Sequence, residues 1–133
     1  MINPISTSLS GLMAASRKAE VVSSNIANAD SVGSTDPNAP NQAYAAKVAR
    51  DVSTGDGGVW TEVLTRNPPF VPSYSPDSPL ADGTGMVNAP NVNLDEELLN
   101  LQQAKTAYQS NAMVIRTSLK MQDALHKALD TQS

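Results

Sequence analysis

The sequence contains no cysteine among its 133 residues, which excludes disulfide bonds, thiolate metal sites and a cysteine nucleophile. Aromatic residues make up only 4% of the chain, so there is little bulky material for the core of a globular domain. The apolar residues are mostly Ala, Val, Leu and Met. This composition suits contacts between helices better than a large globular core.

The chain also lacks a surplus of basic residues, because 9 Lys and Arg stand against 13 Asp and Glu, a formal net charge of -4. Such a balance argues against binding to nucleic acid or to an anionic membrane surface. The N-terminus has no basic and apolar signal-peptide pattern, and no run approaches about 18 consecutive apolar residues. We expect a chain that stays in the cytosol or is exported without a cleavable signal.

Signatures of catalysis are missing as well. We find no glycine-rich nucleotide loop, HExxH motif or paired-carboxylate arrangement. The single histidine, His126, has no catalytic partner at a useful spacing and is expected at the surface. The segment 81–85 resembles part of a calcium loop but lacks its spaced acidic ligands. The sequence therefore predicts no enzyme, no catalytic residue, no cofactor, no metal site and no small-molecule substrate.

The longest regular pattern runs from residue 90 to residue 129 and predicts one uninterrupted helix. Asn93 is placed to cap it, with Glu96 three residues later to complete a capping box. Such a helix would be about 54 Å long, too long for a compact domain of this size, so we interpret it as half of a coiled-coil pair. The predicted seam residues are Leu94, Leu98, Leu101, Tyr108, Ala112, Ile115, Leu119 and Leu125.

A second helix is predicted over residues 3–29, with Asn3 as the cap and Pro4 at the first helical position. Its predicted seam residues are Ile5, Leu9, Leu12, Ala19 and Ile26. Ser and Ala dominate its other faces, which indicates a helix covered by several neighbours. The alternative, a helix paired only within its own chain, remains open. Gly11 would permit a close approach by another backbone.

Between the helices, residues 31–92 are rich in Pro, Gly, Ser, Asp and Asn, and the helical periodicity disappears. Segments 43–53 and 58–65, joined by an Asp-Gly turn, predict a small β-hairpin. Residues 66–90 are proline-rich and expected to be extended. The predicted fold is mainly α, with paired long terminal helices and a small hairpin or extended insert between them. The division is 1–30 for the N-terminal axial helix, 31–92 for the insert and 93–133 for the C-terminal axial helix.

Two passages carry a family resemblance. The segment 24–30, which ends the first helix, resembles the signature of bacterial flagellar rod and hook axial proteins. The segment 74–87, the turn before the second helix and the segment 107–111 are similar to the proximal-rod members of that family, from which Met86 departs where Tyr is common. The residues that match the family motifs are Asn25, Ile26, Asn28, Pro90, Asn91 and Asn93.

The resemblance implies a structural subunit of the flagellar basal-body rod, which spans the periplasm and transmits torque. It implies helical assembly with copies of itself and other rod proteins, contact with the MS-ring and export-gate region at the rod base, and passage through the flagellar type III export apparatus. Alternatives are another rod or hook-basal component, which a longer middle insert would indicate, or a soluble helical-hairpin export chaperone or adaptor. Such an adaptor should have a charged outer face, which residues 4–29 lack.

Overall fold

The computed structural model describes residues 3–130 and contains two helices separated by two β-hairpins. In chain order the elements are α1 (Pro4–Ala27), β1 (Lys47–Ser53), β2 (Val59–Thr65), β3 (Phe70–Tyr74), β4 (Met86–Pro90) and α2 (Leu94–Asp130). The paired terminal helices and the first hairpin agree with the sequence prediction. The expectation of a mainly α chain is only partly right, because four strands make the fold a mixture of α and β. Residues 1–2 and 131–133 of the predicted segments lie outside the described part.

Asparagine side chains cap both helices. Asn3 Oδ1 accepts from the Ile5 N–H at 3.0 Å, and Asn93 Oδ1 accepts from the N–H groups of Asp95 and Glu96 at 3.0 and 3.3 Å. These bonds satisfy helix N–H groups that have no partner inside the helix. Of the predicted capping box only the Asn93 half is seen among residues 3–130, because the carboxylate of Glu96 accepts from Arg66 of the insert instead of from the Asn93 N–H. Helix α2 is 37 residues long, which corresponds to about 55 Å.

The first hairpin lies on α1. Its antiparallel register pairs Lys47 with Thr65 at one end and Ser53 with Val59 at the other. The Ser10 hydroxyl of α1 accepts from the Val59 N–H at 3.1 Å, and the hydroxyl of Thr61 donates to the Ala14 carbonyl at 3.3 Å. A two-stranded hairpin is only marginally stable alone, so this helix surface supports it.

The second hairpin, β3–β4, was not predicted, because its proline content masked the strand pattern. Pro90 pairs with Phe70 and Met86 with Tyr74 in an antiparallel register. The segment after α1 joins this hairpin through Gly33 and Asn88, whose N–H and carbonyl groups exchange two hydrogen bonds of 2.9 Å. A side chain on Gly33 would lie 1.9 Å from the backbone nitrogen of Ala43, so only glycine fits there.

The buried apolar residues are small. They are Ala14, Ala15, Val21, Val22, Ala43, Ala46, Val87 and Ala104. This agrees with the scarcity of aromatic residues and permits close packing of α1 against α2. Among residues 3–130, no helix combines the length and apolar character needed to cross a membrane.

Candidate assembly interface

A buried polar cluster joins the C-terminal part of α1 to the first turn of α2. Asn25 is 1% exposed, and its side chain donates to the Lys47 carbonyl at 2.8 Å and to Glu97 Oε1 at 3.0 Å. Asn25 Oδ1 accepts from the Lys47 N–H at 3.0 Å and from the Tyr44 hydroxyl at 3.1 Å. One side chain therefore connects α1, the start of β1, the segment before it and α2.

Glu97 is the other deeply buried polar group of this cluster. Arg66 Nη2 donates to Glu97 Oε1 at 3.1 Å, and Nη1 of the same arginine lies 3.4 Å from Glu96 Oε2. Burial raises the pKa of the Glu97 carboxyl above its usual value, while the hydrogen bond from Asn25 and the charge of Arg66 oppose this increase. The insert is thus attached to α2 by a partly buried ion pair.

Next to this cluster, α1, β1 and α2 border a cleft of about 400 Å³. Its charged lining includes Lys18 and Arg66, both of which are paired with carboxylates, Lys18 with Asp51 and Arg66 with Glu96 and Glu97. Charges of both signs therefore border the cleft. No group of three or more His, Cys, Asp or Glu side chains within residues 3–130 is arranged to hold a metal ion.

The remaining family-motif residues hold the ends of the helices and of the second hairpin. Asn28 caps the end of α1, where its N–H and side-chain amide both donate to the Ser24 carbonyl, at 3.1 and 2.8 Å. Pro90 is buried in β4, and Asn91 donates to the carbonyls of Pro68 and Pro69 at 2.8 and 3.0 Å. Together with half-buried Ile26, these residues fix where α1 stops and where α2 starts.

A second fixed contact joins the helices closer to the start of α1. A side chain on Gly11 would lie 2.8 Å from Asn111 Oδ1, so Gly11 leaves the room that the Asn111 side chain occupies. Gly11 and Asn25 are 14 residues apart, as are Glu97 and Asn111. That spacing is two heptads, so both contacts belong to one antiparallel register.

In this register the C-terminal part of α2 extends beyond the start of α1. The start of α1, Pro4, lies seven residues before Gly11, and the matching position on α2 is Ser118, seven residues after Asn111. From Leu119 to Asp130 every residue is exposed. We call these twelve residues, which extend over about 18 Å, the α2 overhang.

The structure places the predicted seam residues around the helix contact, not at its centre. Those that are half-buried are Ile5, Leu12, Ala19, Ile26, Leu101, Ala112 and Ile115. Those that are exposed are Leu9, Leu94, Leu98, Tyr108, Leu119 and Leu125, with exposed fractions of 43% or more. A buried seam at these exposed positions within one chain is wrong. Their contribution to assembly stays a prediction.

The buried residues of the two helices are small or polar instead. On α1, which packs against the first hairpin as well as against α2, they are Ser8, Ala14, Ala15, Val21, Val22 and Asn25, and on α2 they are Glu97 and Ala104. Small side chains bring the two helix axes close, which displaces the bulky leucines to the flanks. The leucine spacing predicted the helix correctly but assigned the wrong face to the partner, since the sequence signal for the true face is a repeat of small residues.

Two family profiles match the helices and the segments beside them. One, described as "Flagella basal body rod protein", matches residues 5–34, and the other, described as "Flagellar basal body rod FlgEFG protein C-terminal", matches residues 84–127. The matched regions include Asn25 and Glu97, both residues of the Gly33–Asn88 contact and most of α2. The chain therefore belongs to the class of flagellar basal-body rod proteins.

Comparison with curated proteins identifies the family more closely. The chain is 35% identical over 127 residues to "Flagellar basal-body rod protein FlgC" of Escherichia coli O6:H1, covering 91% of this chain and 92% of the relative. It is 36% identical to the protein of the same name from Salmonella typhimurium, with the same coverage. The Agrobacterium fabrum relative is 34% identical over 110 residues, covering 80% of this chain and 79% of the relative. The chain belongs to the FlgC family and is a structural subunit of the flagellar basal-body rod.

Proposed function

We propose that this rod subunit works in the proximal part of the rod, where it stacks helically with copies of itself and other rod proteins and transmits torque across the periplasm. Torque transmission requires elements that resist bending and twisting. The 37-residue α2, braced by α1 along two heptads between fixed contacts, supports that role. In this proposal the predicted segments 1–30 and 93–133 are the axial helices of the rod, and residues 31–92 are the insert between them.

The observation that carries this proposal is the α2 overhang. Leu125 and Leu129 lie 14 residues after Asn111 and Ile115, two positions that contact or flank α1 earlier in the helix. The same face therefore continues beyond the start of α1, but there its leucines are 61% and 58% exposed. Burial of such residues contributes roughly 1.5–3 kcal/mol each, so packing against a neighbouring subunit would be favourable.

Other exposed apolar residues extend the proposed assembly surface along both helices. Leu9 and Met13 are 43% and 61% exposed on α1, and Leu94, Leu98 and Tyr108 are 44–55% exposed on α2. We assign these residues, which apart from Met13 are predicted seam positions, to contacts between subunits. Contacts between different surfaces on successive copies produce open helical filaments, which is the symmetry that a rod requires.

The proposal includes the partners that the family implies. We assign contacts at the rod base to the MS-ring and export-gate region, and we assign delivery to the flagellar type III export apparatus. The role is structural, with no catalytic step, cofactor or small-molecule substrate.

A substitution at Leu98 tests the proposal, because this side chain is 55% exposed and contributes little to the isolated fold. We expect Leu98→Asp to leave the circular dichroism and unfolding midpoint of the purified chain nearly unchanged. In a strain that carries the variant as its only copy, swimming and recovery of the chain in isolated basal bodies should be lost. Ile115→Asp should also abolish assembly, but Ile115 is half-buried and its loss would also weaken the fold.

Gln102→Asp is the matched control, because Gln102 is also exposed and lies one helical turn further along α2. It introduces the same charge without removing an apolar side chain, and we expect swimming to persist. Normal swimming and normal basal-body content in the Leu98→Asp strain would contradict the proposed assembly surface.

A further inference from the structure

Charged residues are strongly segregated in this chain. Within α2, residues 98–122 contain Lys105, Arg116 and Lys120 and no Asp or Glu. All three side chains are exposed, and within residues 3–130 none of them takes part in an ion pair. The central part of α2 therefore carries three positive charges without a compensating carboxylate.

These three cations lie on one side of the helix. Lys105 and Arg116 are 11 residues apart, close to three full turns, and Lys120 follows one turn later. They form a stripe about 22 Å long, which we call the basic stripe. The exposed apolar residues Leu98 and Leu119 lie beside it, 55% and 52% exposed. The surface thus combines apolar and positive groups.

The opposite charge is concentrated in the insert. Residues 28–46 and 67–93 contain Asp30, Asp36, Asp77 and Asp82 and no Lys, Arg or His, and all four carboxylates are exposed. These two segments are one packed unit, because the backbone of Gly33 is paired with β4 and the Thr35 hydroxyl donates to Asp82 at 3.1 Å. We call this the acidic insert unit, with a charge of -4.

The two surfaces lie at different positions along the molecule. The acidic insert unit connects directly to the end of α1 and the start of α2, at Asn28 and Asn93. The basic stripe begins at Lys105, eleven residues after the start of α2, and runs in the direction of the overhang. The start of the stripe is therefore about 16 Å from the start of the helix, and its end is about 39 Å away. Oppositely charged surfaces that are separated in this way favour contacts between molecules.

We propose that the basic stripe of α2 binds the acidic insert unit of a second copy of this chain. The contact joins two different surfaces, so its repetition produces an open helical assembly rather than a closed dimer. The net charge of -4 would otherwise make copies repel one another, and segregation of the charges converts this repulsion into directional attraction. The inference rests on the proposed function and adds the chemistry of one subunit contact.

Sedimentation velocity on the purified full chain tests the contact. We expect the wild type to self-associate at low ionic strength, and the association to weaken at least about tenfold at 0.5 M NaCl, because exposed charge pairs are screened. K105E/R116E/K120E makes the stripe acidic, and D30K/D36N/D77K changes the acidic insert unit from -4 to +1. Each variant alone should associate at least about tenfold more weakly than the wild type.

A mixture of the two variants gives the decisive result. The acidic stripe of the first variant meets the positively charged insert of the second, while the second retains a basic stripe for the unaltered insert of the first. We expect an equimolar mixture to recover association at low salt. A general loss of folding in either variant would not be repaired by mixing, and circular dichroism of each variant checks this directly.

R17E/K47E/R50E is the matched control, since it reverses three exposed cations outside α2. It should reduce association less than the stripe variant does. A wild type that stays monomeric, association that is insensitive to salt, or a mixture that does not recover would each overturn the proposed contact. If the Leu98→Asp chain is nevertheless absent from isolated basal bodies, the proposed function stands and only the charge contact is refuted. Failure of the contact and failure of the proposed function are thus distinguishable.

Discussion

The side-chain amide of Asn25 donates to the carboxylate of Glu97 across the contact between α1 and α2, at 3.0 Å, and each residue is only 1% exposed. This bond joins residues that are 72 positions apart in the chain. Asn25 also holds both backbone groups of Lys47, so the same side chain sets where the first hairpin starts. Buried polar groups of this kind specify one arrangement, because each alternative register would leave them unsatisfied.

Replacement of Asn25 should therefore destabilise the fold more than its size suggests. Asn25→Ala removes two donors and an acceptor from Lys47, Tyr44 and Glu97 and leaves these buried or part-buried groups without that partner. We expect a loss of about 3 kcal/mol in the free energy of unfolding, measured by urea denaturation. Ser23→Ala, on an exposed position of the same helix, should change it by less than about 0.5 kcal/mol. Equal effects of the two substitutions would contradict the structural role of Asn25.

Glu97 should give the stability a pH dependence of definite sign. Because burial raises its pKa in the folded state, the folded chain binds more protons than the unfolded chain just above the ordinary pKa of 4.5. Stability should fall as the pH rises from this value through the folded-state pKa, and then level off. In Glu97→Gln this decrease should be reduced, while the amide oxygen can still accept from Asn25.

Urea denaturation of both proteins between pH 4 and pH 8 measures the difference. Glu20→Gln serves as the control, because Glu20 is exposed on α1, pairs with Arg17 and is not part of the Glu97 cluster, so the slope of the wild type should persist. A Glu97→Gln variant that loses stability with pH as steeply as the wild type would show that another group causes the effect.

Much of this fold could be predicted from local sequence patterns. The caps at Asn3 and Asn93, the lengths of both helices and the Asp-Gly turn of the first hairpin depend on nearby residues, and they were predicted. The second hairpin was missed, because Pro72 lies inside β3 and Pro90 ends β4, and proline normally argues against a strand. Here Asn88, which lies opposite Pro72, exchanges its backbone hydrogen bonds with Gly33 instead, and Pro90 is the last residue of its strand.

The face of α2 that contacts α1 could not be predicted from the leucine repeat. Leu98 and Leu119 follow the expected spacing but are exposed, whereas Glu97 and Ala104 are buried. A charged residue in the first turn is normally interpreted as a helix-dipole interaction, and nothing local indicates that Glu97 finds Asn25 and Arg66. Prediction of such a site requires knowledge of which distant segments meet.

Gly33 should tolerate no side chain. A β-carbon there would lie 1.9 Å from the Ala43 nitrogen and 2.3 Å from the Gln42 carbonyl carbon, so the backbone would have to move. We expect Gly33→Ala to reduce the free energy of unfolding by about 3 kcal/mol and to disturb the paired amides of Gly33 and Asn88 in hydrogen exchange. Gly55→Ala is the control, since its β-carbon would meet nothing within 4 Å. A stable Gly33→Ala variant with unchanged exchange would contradict this packing.

Gly11 and Asn111 should be energetically coupled. Alanine at position 11 would favour the helix by about 1 kcal/mol, but its β-carbon would lie 2.8 Å from Asn111 Oδ1. The Asn111 amide must therefore rotate away from this β-carbon, so Gly11→Ala should stabilise the wild type by less than that amount. In an Asn111→Ala background the obstruction is gone, and the same substitution should stabilise the chain by about 1 kcal/mol.

A double-mutant cycle with urea denaturation measures this coupling, with Ala substituted at each position alone and together. Gly11→Ala should stabilise the Asn111→Ala variant more than it stabilises the wild type, because in the wild type the Asn111 amide must first move out of the way. Additive effects would mean that Gly11 and Asn111 do not meet, and the antiparallel register would then lose its second fixed point. The twelve-residue overhang, and with it the exposed leucines assigned to assembly, depends on that register.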